Sequence, residues 1–231
     1  MREMTREMFR AWSKNRTFKK RLTNTIEQIT NWFATYKNIN ASVSGGKDSL
    51  VMLDLLLKQS PNIHVWHWDY GIYMPRPYQK EVESILKEHF QIKNLRIDRR
   101  TSKDPASSTG YKSFFYCINK HILTHFIELN FIGLRKEESC KRRQRCKTFL
   151  EPVNIKGYHY HNVFPLKDWT WRDIWAYIIA NNIPYPSSYD KRGDFLGWDQ
   201  VRFVTFFDKE FEHLGGPIQD KFFFWKEREI S

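Results

Sequence analysis

The segment SVSGGKDSL, residues 42–50, sets two glycines, a lysine, an acid and three hydroxyls between two apolar stretches. Those residue types suit the capture of a polyanion against the backbone. Gly45 and Gly46 let the chain bend and approach a ligand closely, so that successive N–H groups form an anion nest. A helix beginning just after the loop would direct the positive end of its dipole to the same spot. Lys47 adds a full charge, and Ser44 and Ser49 add hydroxyl donors. Asp48 sits awkwardly in a bare phosphate cradle, because it repels the ligand unless a divalent cation lies between; the expected companion is Mg²⁺ at Asp48. A Walker A loop would need a glycine where Ala41 stands, and the third glycine of a dinucleotide fingerprint is absent. The plainer alternative is turn chemistry between a strand and a helix.

Such a loop needs a strand before it and a helix after it, and the flanking patterns supply both. NINASVS reads as a short strand and DSLVMLDLLLKQ as a helix too apolar to be exposed. IHVWHWD, NLRID, FIGL and NVFPL read as further strands. PRPYQKEVESILKEHF, roughly 112–129, and TWRDIWAYIIANN read as helices, the last with Thr170 and Asp173 as an N-cap pair. DPASSTG reads as a polar loop. Alternation of this kind predicts an α/β fold, a doubly wound, mostly parallel sheet. Residues 1–36 form the expected N-terminal helical extension, with Met4, Met8, Trp12, Leu22, Ile26, Ile29 and Phe33 at helical spacing. The expected nucleotide-binding unit is 37–190, and 191–231 reads as a C-terminal helical extension.

The chain has 231 residues, enough for one full domain with a real core, and its 18 Phe, 11 Tyr and 9 Trp must dominate the packing. Three cysteines, Cys117, Cys140 and Cys146, do not suggest a disulfide framework, and a reducing, cytoplasmic location is expected. The charged N-terminus lacks a signal-peptide core, and no apolar run is long enough to cross a bilayer. A formal charge of +12 points to polyanionic partners, nucleotides or nucleic acid, with a solubilising surface as the alternative. Lys14, Arg16, Lys19, Lys20 and Arg21 read as a solvated helix face. The densest basic cluster, Arg135, Lys136, Lys141, Arg142, Arg143, Arg145 and Lys147, is either a surface patch or a track for nucleic acid or a triphosphate. Cys140 and Cys146 flank part of it, with His159 and His161 soon after; free thiols are the plainer reading, a metal site the sharper one.

SGGKDS resembles the PP-loop of the ATP pyrophosphatases, which share the adenine nucleotide α-hydrolase-like fold. The resemblance implies cleavage of ATP between its α and β phosphates, with Ser44, Gly45, Gly46, Lys47, Asp48 and Ser49 around the pyrophosphate portion. WHWDYGIYMP (66–75), GLRKEES (133–139) and FPLKDWTWRDIWAYIIANNIPYPSSYD (164–190) are similar to segments of the phosphoadenosine-phosphosulfate (PAPS) reductase family. That similarity adds Asp69 and Gly133 to the implied nucleotide-binding set and places Arg135 with Lys47 and Asp48 as the implied catalytic groups. Asp69 could instead cap a turn, and Arg135 could be a surface arginine. Trp169, Trp171, Trp175 and Tyr177 read as packing residues and Asp173 as a helix-start acid.

The chain also departs from the reductase pattern. No cysteine follows Cys146 to serve as the nucleophile that takes up sulfite, and the cysteine pairs of the iron–sulfur branch are missing, so no iron–sulfur cluster is expected. The expectation is therefore ATP-dependent adenylation of an acceptor, in sulfur transfer or nucleic-acid modification. A divergent sulfonucleotide reductase and a non-catalytic nucleotide-binding module are the alternatives. A homo-oligomer and modification-system partner proteins both stay open.

Overall fold

The computed structural model describes residues 1–69, 76–99, 101 and 111–201. Tyr70, the loop DPASSTG and the C-terminal stretches RFVTFFDKEF and KFFFWKER lie outside the described residues. Strands β1 (Ile39–Val43), β2 (His64–Asp69), β3 (Asn94–Arg99), β4 (Leu129–Ile132), β5 (Leu150–Ile155) and β6 (Tyr158–Val163) form one sheet in the order β3-β2-β1-β4-β6-β5. All neighbours are parallel except the β5–β6 pair. Strand order reverses at β1, between β2 and β4, which makes the carboxyl end of β1 the switch point where open α/β sheets place their ligands.

Helices α1 (Glu3–Ser13) and α2 (Arg16–Thr35) form the predicted N-terminal pair. They are followed by α3 (Lys47–Gln59), α4 (Arg76–Ser84), α5 (Tyr111–Thr124), α6 (Cys140–Arg145), α7 (Trp171–Ala180) and α8 (Ser188–Leu196). The main core joins residues of α1, α2, α3, α4 and α7 to Ala41, Val43, Val65, Phe131 and Val163 of the sheet. A second cluster, with Trp66, Trp68, Cys117, Ile118 and Ile122, lies under α5. Thr170 and Asp173 make the expected capping box at the start of α7. Asp173 also accepts from Trp12 Nε1 at 2.9 Å and from Arg21, which ties the N-terminal hairpin to that helix. No helix among the described residues is long and apolar enough to cross a membrane.

Several boundaries differ from expectation. The helix predicted to reach 129 ends at Thr124, because Phe126 takes a positive φ of 49° and the chain turns into β4. The strand placed at FIGL ends at Ile132, which leaves Gly133 beyond it. Phe164–Leu166 of NVFPL follow β6 rather than belonging to it. The α4 pattern continues as a π turn, Ile85–His89. Of the β5–β6 hairpin only Asn162 and Val163 fall within an expected strand: Pro152 argues against a central strand, yet β5 is the edge strand, where a missing N–H costs little. Lys156 (φ 50°) and Gly157 (φ 89°) make its tight turn.

One polar row crosses the whole sheet at a single register: Asn94, His64, Asn40, Asn130, Asn162 and Glu151. Asn40 donates to Asn130 (2.7 Å), Asn130 to Asn162 (3.0 Å) and Asn162 to Glu151 (2.8 Å). His121 Nε2, 3.0 Å from the Asn40 side-chain oxygen, joins the row from α5. Burial first, and then His125, Arg96 and His64 against the opposing Asp98, push His121 down to about 4. The unfolded chain therefore binds more protons than the native one between about pH 4 and the ordinary histidine value of 6.5. Stability should fall as pH is lowered through that window, and His121→Gln should flatten the fall, as read from urea midpoints at pH 6.5, 5 and 4.

Candidate active site

The loop predicted to hold an anion leaves β1 at the switch point. Gly45 adopts φ +83°, and a Cβ there would lie 2.5 Å from both methyls of Val82 on α4. The turn thus demands glycine for conformation and for space together. Gly46 is the N-cap of α3 and contributes no capping side chain. Ser44 Oγ instead accepts from Gly46 N–H at 3.3 Å and lies 3.2 Å from Ser49 Oγ, while Ser49 Oγ donates to the Gly46 carbonyl at 2.9 Å. Beneath the loop, His67 of β2 lies 2.7 Å from the Val43 carbonyl and 3.0 Å from Gln79 Nε2. The first contact requires an Nδ1–H donor and the second an Nε2 acceptor, so the ring is neutral. Burial pushes its pKa down, in the same sense.

Gly133 and Arg135 come to this loop from the segment after β4. A Cβ on Gly133 would sit 3.0 Å from the backbone of Asp48 and Ser49, so its lack of a side chain lets that segment back the first turn of α3. Arg135 is 3% exposed, not a surface arginine. Its Nε donates to Asp48 Oδ1, and its Nη1 donates to Glu137 at 2.8 Å. Lys47, 1% exposed, donates to the other Asp48 oxygen at 3.1 Å. Lys47, Asp48 and Arg135 are therefore buried charges of alternating sign beside the loop, and Glu137 continues the chain to the surface.

Burial alone would raise the Asp48 carboxyl, but Arg135 and then Lys47 outweigh it and hold it well below the ordinary carboxylate range. Burial pushes the Lys47 ammonium down, against the pull of Asp48. Burial also lowers Arg135, yet Asp48 and Glu138 outweigh it and raise the guanidinium. Asp69 is buried at the carboxyl end of β2, the strand next to β1. The structure thus brings Ser44–Ser49, Gly133 and Arg135 to one place, with Asp69 on the neighbouring strand end.

Mg²⁺ was expected at Asp48. Both oxygens of that carboxylate are engaged, by Arg135 and Lys47, so Asp48 as placed does not fit a direct metal ligand. Among the described residues no group of three or more His, Cys, Asp or Glu is placed to hold a metal ion. Cys140 and Cys146 are free thiols, and they form no metal cluster with His159 and His161. The basic cluster is partly neutralised. Lys136 pairs with Asp168 (2.7 Å), Arg142 with Glu138 and Arg145 with Glu151 (2.8 Å), while Lys141, Arg143 and Lys147 are exposed.

Two contributors were not singled out from the sequence. Val82 closes over Gly45, and Tyr189 accepts the N–H of Lys47 at 3.1 Å. Only the tyrosine carried a signal, its place in PYPSSYD. Trp169, Trp175 and Tyr177 are buried as expected, and Trp171 is half-buried.

The match to the phosphoadenosine phosphosulfate reductase domain covers residues 38–218. An adenosine 5'-phosphosulfate reductase 2 of Bacillus subtilis (strain 168) is 25% identical over 187 residues, covering 73% of this chain and 75% of the relative. Among solved structures, the FMN adenylyltransferase of Candida glabrata in complex with FAD and inorganic pyrophosphate superposes with a TM-score of 0.55 at 16% identity, over 81% of this chain and 67% of that one. The phosphoadenylyl-sulfate reductase of Candida auris superposes with a TM-score of 0.54 at 17% identity, over 72% of this chain and 84% of that one. The architecture is that of the adenine nucleotide α-hydrolase-like fold. By the extent of the domain match, and with the reductase relative beside it, the chain belongs to the phosphoadenosine phosphosulfate reductase domain family.

Proposed function

We propose that the chain binds an adenine nucleotide, foremost ATP, at Ser44–Ser49 and splits it between the α and β phosphates, transferring the AMP group to an acceptor and releasing pyrophosphate; free AMP follows when a second nucleophile displaces it from the acceptor. The observation that carries this reading is the buried Lys47 ammonium at the amino end of α3, beside a turn only glycine can make. In the proposed step an acceptor nucleophile attacks the α-phosphorus. The bond to the bridging oxygen breaks, and pyrophosphate leaves with the electron pair. Charge builds on that leaving group, where Lys47 and the N–H groups of the first turn of α3 stabilise it. Mg²⁺ enters as part of the nucleotide substrate, held by its phosphates. Asp48 orients Lys47 and Arg135 rather than the metal, and Asp69 and Gly133 line the nucleotide side. The Candida glabrata neighbour, which supports the fold alone, is itself described with FAD and pyrophosphate. Lys141, Arg143 and Lys147 suit an anionic acceptor such as nucleic acid, whose binding would weaken with salt.

Sulfonucleotide reduction is the second reading, favoured by the reductase relative. Against it, burial pushes the Cys146 thiol up to about 11, and Cys117 is packed into the second core, so neither is a ready thiolate.

Calorimetry with ATP, adenosine phosphosulfate and PAPS, together with analysis for AMP, pyrophosphate and sulfite, separates the readings. Lys47→Ala should weaken ATP binding about 10- to 100-fold, the value of a charge-assisted contact. Unchanged affinity would remove the loop from the nucleotide site. Sulfite release from a sulfonucleotide in the presence of thiol would support the reductase instead. Nucleotide binding without turnover against a panel of acceptors would support a binding module.

A further inference from the structure

We propose that Tyr189 is a positioning residue of this loop, acting through Lys47 to set which backbone donors face a phosphate; this rests on reading Ser44–Ser49 as the phosphate site. The first N–H groups of a helix have no acceptor within it, and at α3 the earliest is that of Lys47. Tyr189, 142 residues further along the chain, takes that donor through its phenol oxygen at 3.1 Å in a buried contact. The same ring lies 5.8 Å from the Lys47 ammonium, so one phenol holds both the backbone and the side chain of Lys47.

The phenol is itself held rigidly. It is 1% exposed, with Trp175 edge-on at 5.4 Å and Tyr185 at 6.3 Å. The start of its helix is fixed to α4, because the Glu81 carboxylate accepts from both the N–H and the hydroxyl of Ser187 at 2.6 Å each. That same α4 carries Val82, which closes over Gly45. Val82 therefore packs on Gly45 and Tyr189 holds Lys47, and both are fixed through α4. With the Lys47 N–H committed to the phenol and the Ser49 hydroxyl to the Gly46 carbonyl, the donors left to a phosphate in the first turn are the N–H groups of Asp48 and Ser49, together with the Lys47 ammonium and the Ser44 hydroxyl.

Tyr189→Phe keeps the ring and removes the hydroxyl that accepts the Lys47 N–H. Inorganic pyrophosphate and ATP should each bind about five- to tenfold more weakly, the scale of one hydrogen bond, while the thermal midpoint stays within a few degrees. Lys47→Ala keeps the backbone N–H, so in that background Tyr189→Phe should still weaken both ligands about five- to tenfold. The unmodified protein offers a check that does not depend on any variant folding. On titration with pyrophosphate, the Lys47 amide resonance should shift less than those of Asp48 and Ser49. Full affinity in Tyr189→Phe, or a Lys47 amide that shifts most, would each overturn the assignment. If Lys47→Ala itself binds both ligands normally, the phosphate reading fails as well. If Lys47→Ala binds weakly and Tyr189→Phe does not, the role of Tyr189 alone fails.

Discussion

Arg135→Leu should destabilise the protein by about 3–5 kcal/mol, because it removes one partner from a buried ion pair and strands the other. Arg135 is 3% exposed and pairs with the buried Asp48, so its loss leaves that carboxylate with Lys47 alone. Urea denaturation at pH 7 measures the loss. The acid limb supplies a second signature. In the native protein the Asp48 carboxyl is held below its ordinary value of 3.8, so its contribution is fully present above that pH and is lost as pH falls below it. Without Arg135, burial is opposed only by Lys47, the depression shrinks, and the limb below about pH 4 should flatten. Arg135→Lys retains the charge but not the planar fork, and should fall between the two. A variant as stable as the native protein would show that the Arg135–Asp48 pair is not shielded from water.

Gly45→Ala is the second large effect expected, at about 2–4 kcal/mol. It combines the cost of a left-handed backbone for an L-residue with overpacking against a buried valine. The added Cβ would lie 2.5 Å from both Val82 methyls, and Val82 is itself fully buried, so α4 has to shift. Pyrophosphate affinity should fall with stability, because the shift opens the nest. Gly45→Ala combined with Val82→Ala relieves the clash but not the backbone strain, so it should recover part of the affinity. Equilibrium unfolding with calorimetry distinguishes these outcomes; a double variant no better than the single one would place the whole cost in the backbone.

The chemistry of the loop was legible because it is local. Glycine at the turn, lysine one residue later and a helix start are all set by adjacent residues, and the parallel alternation of the sheet follows from short-range periodicity. The β5–β6 hairpin was not legible. Its strands are rich in Asn, His and Tyr and carry a proline, and they are ordered by an edge position that no local pattern announces. The polar row from Asn94 to Glu151 was equally hidden, since each member is paired by sheet register and not by neighbours in the chain.

Asp48 shows the limit most clearly. Read among its neighbours it is an unmatched acid beside a phosphate site, and a divalent cation is the natural answer. In the fold its counter-charge is Arg135, 87 residues away, and the first amide of its helix is held by a tyrosine 142 residues from Lys47. The sequence by itself determined a glycine turn into a helix at the end of a parallel strand, because turn geometry and helix polarity are short-range properties. Tertiary structure decided which charges neutralise one another and which donors remain for a ligand. Coulomb energy and hydrogen bonding depend on distances in space, and those are set only when the sheet assembles.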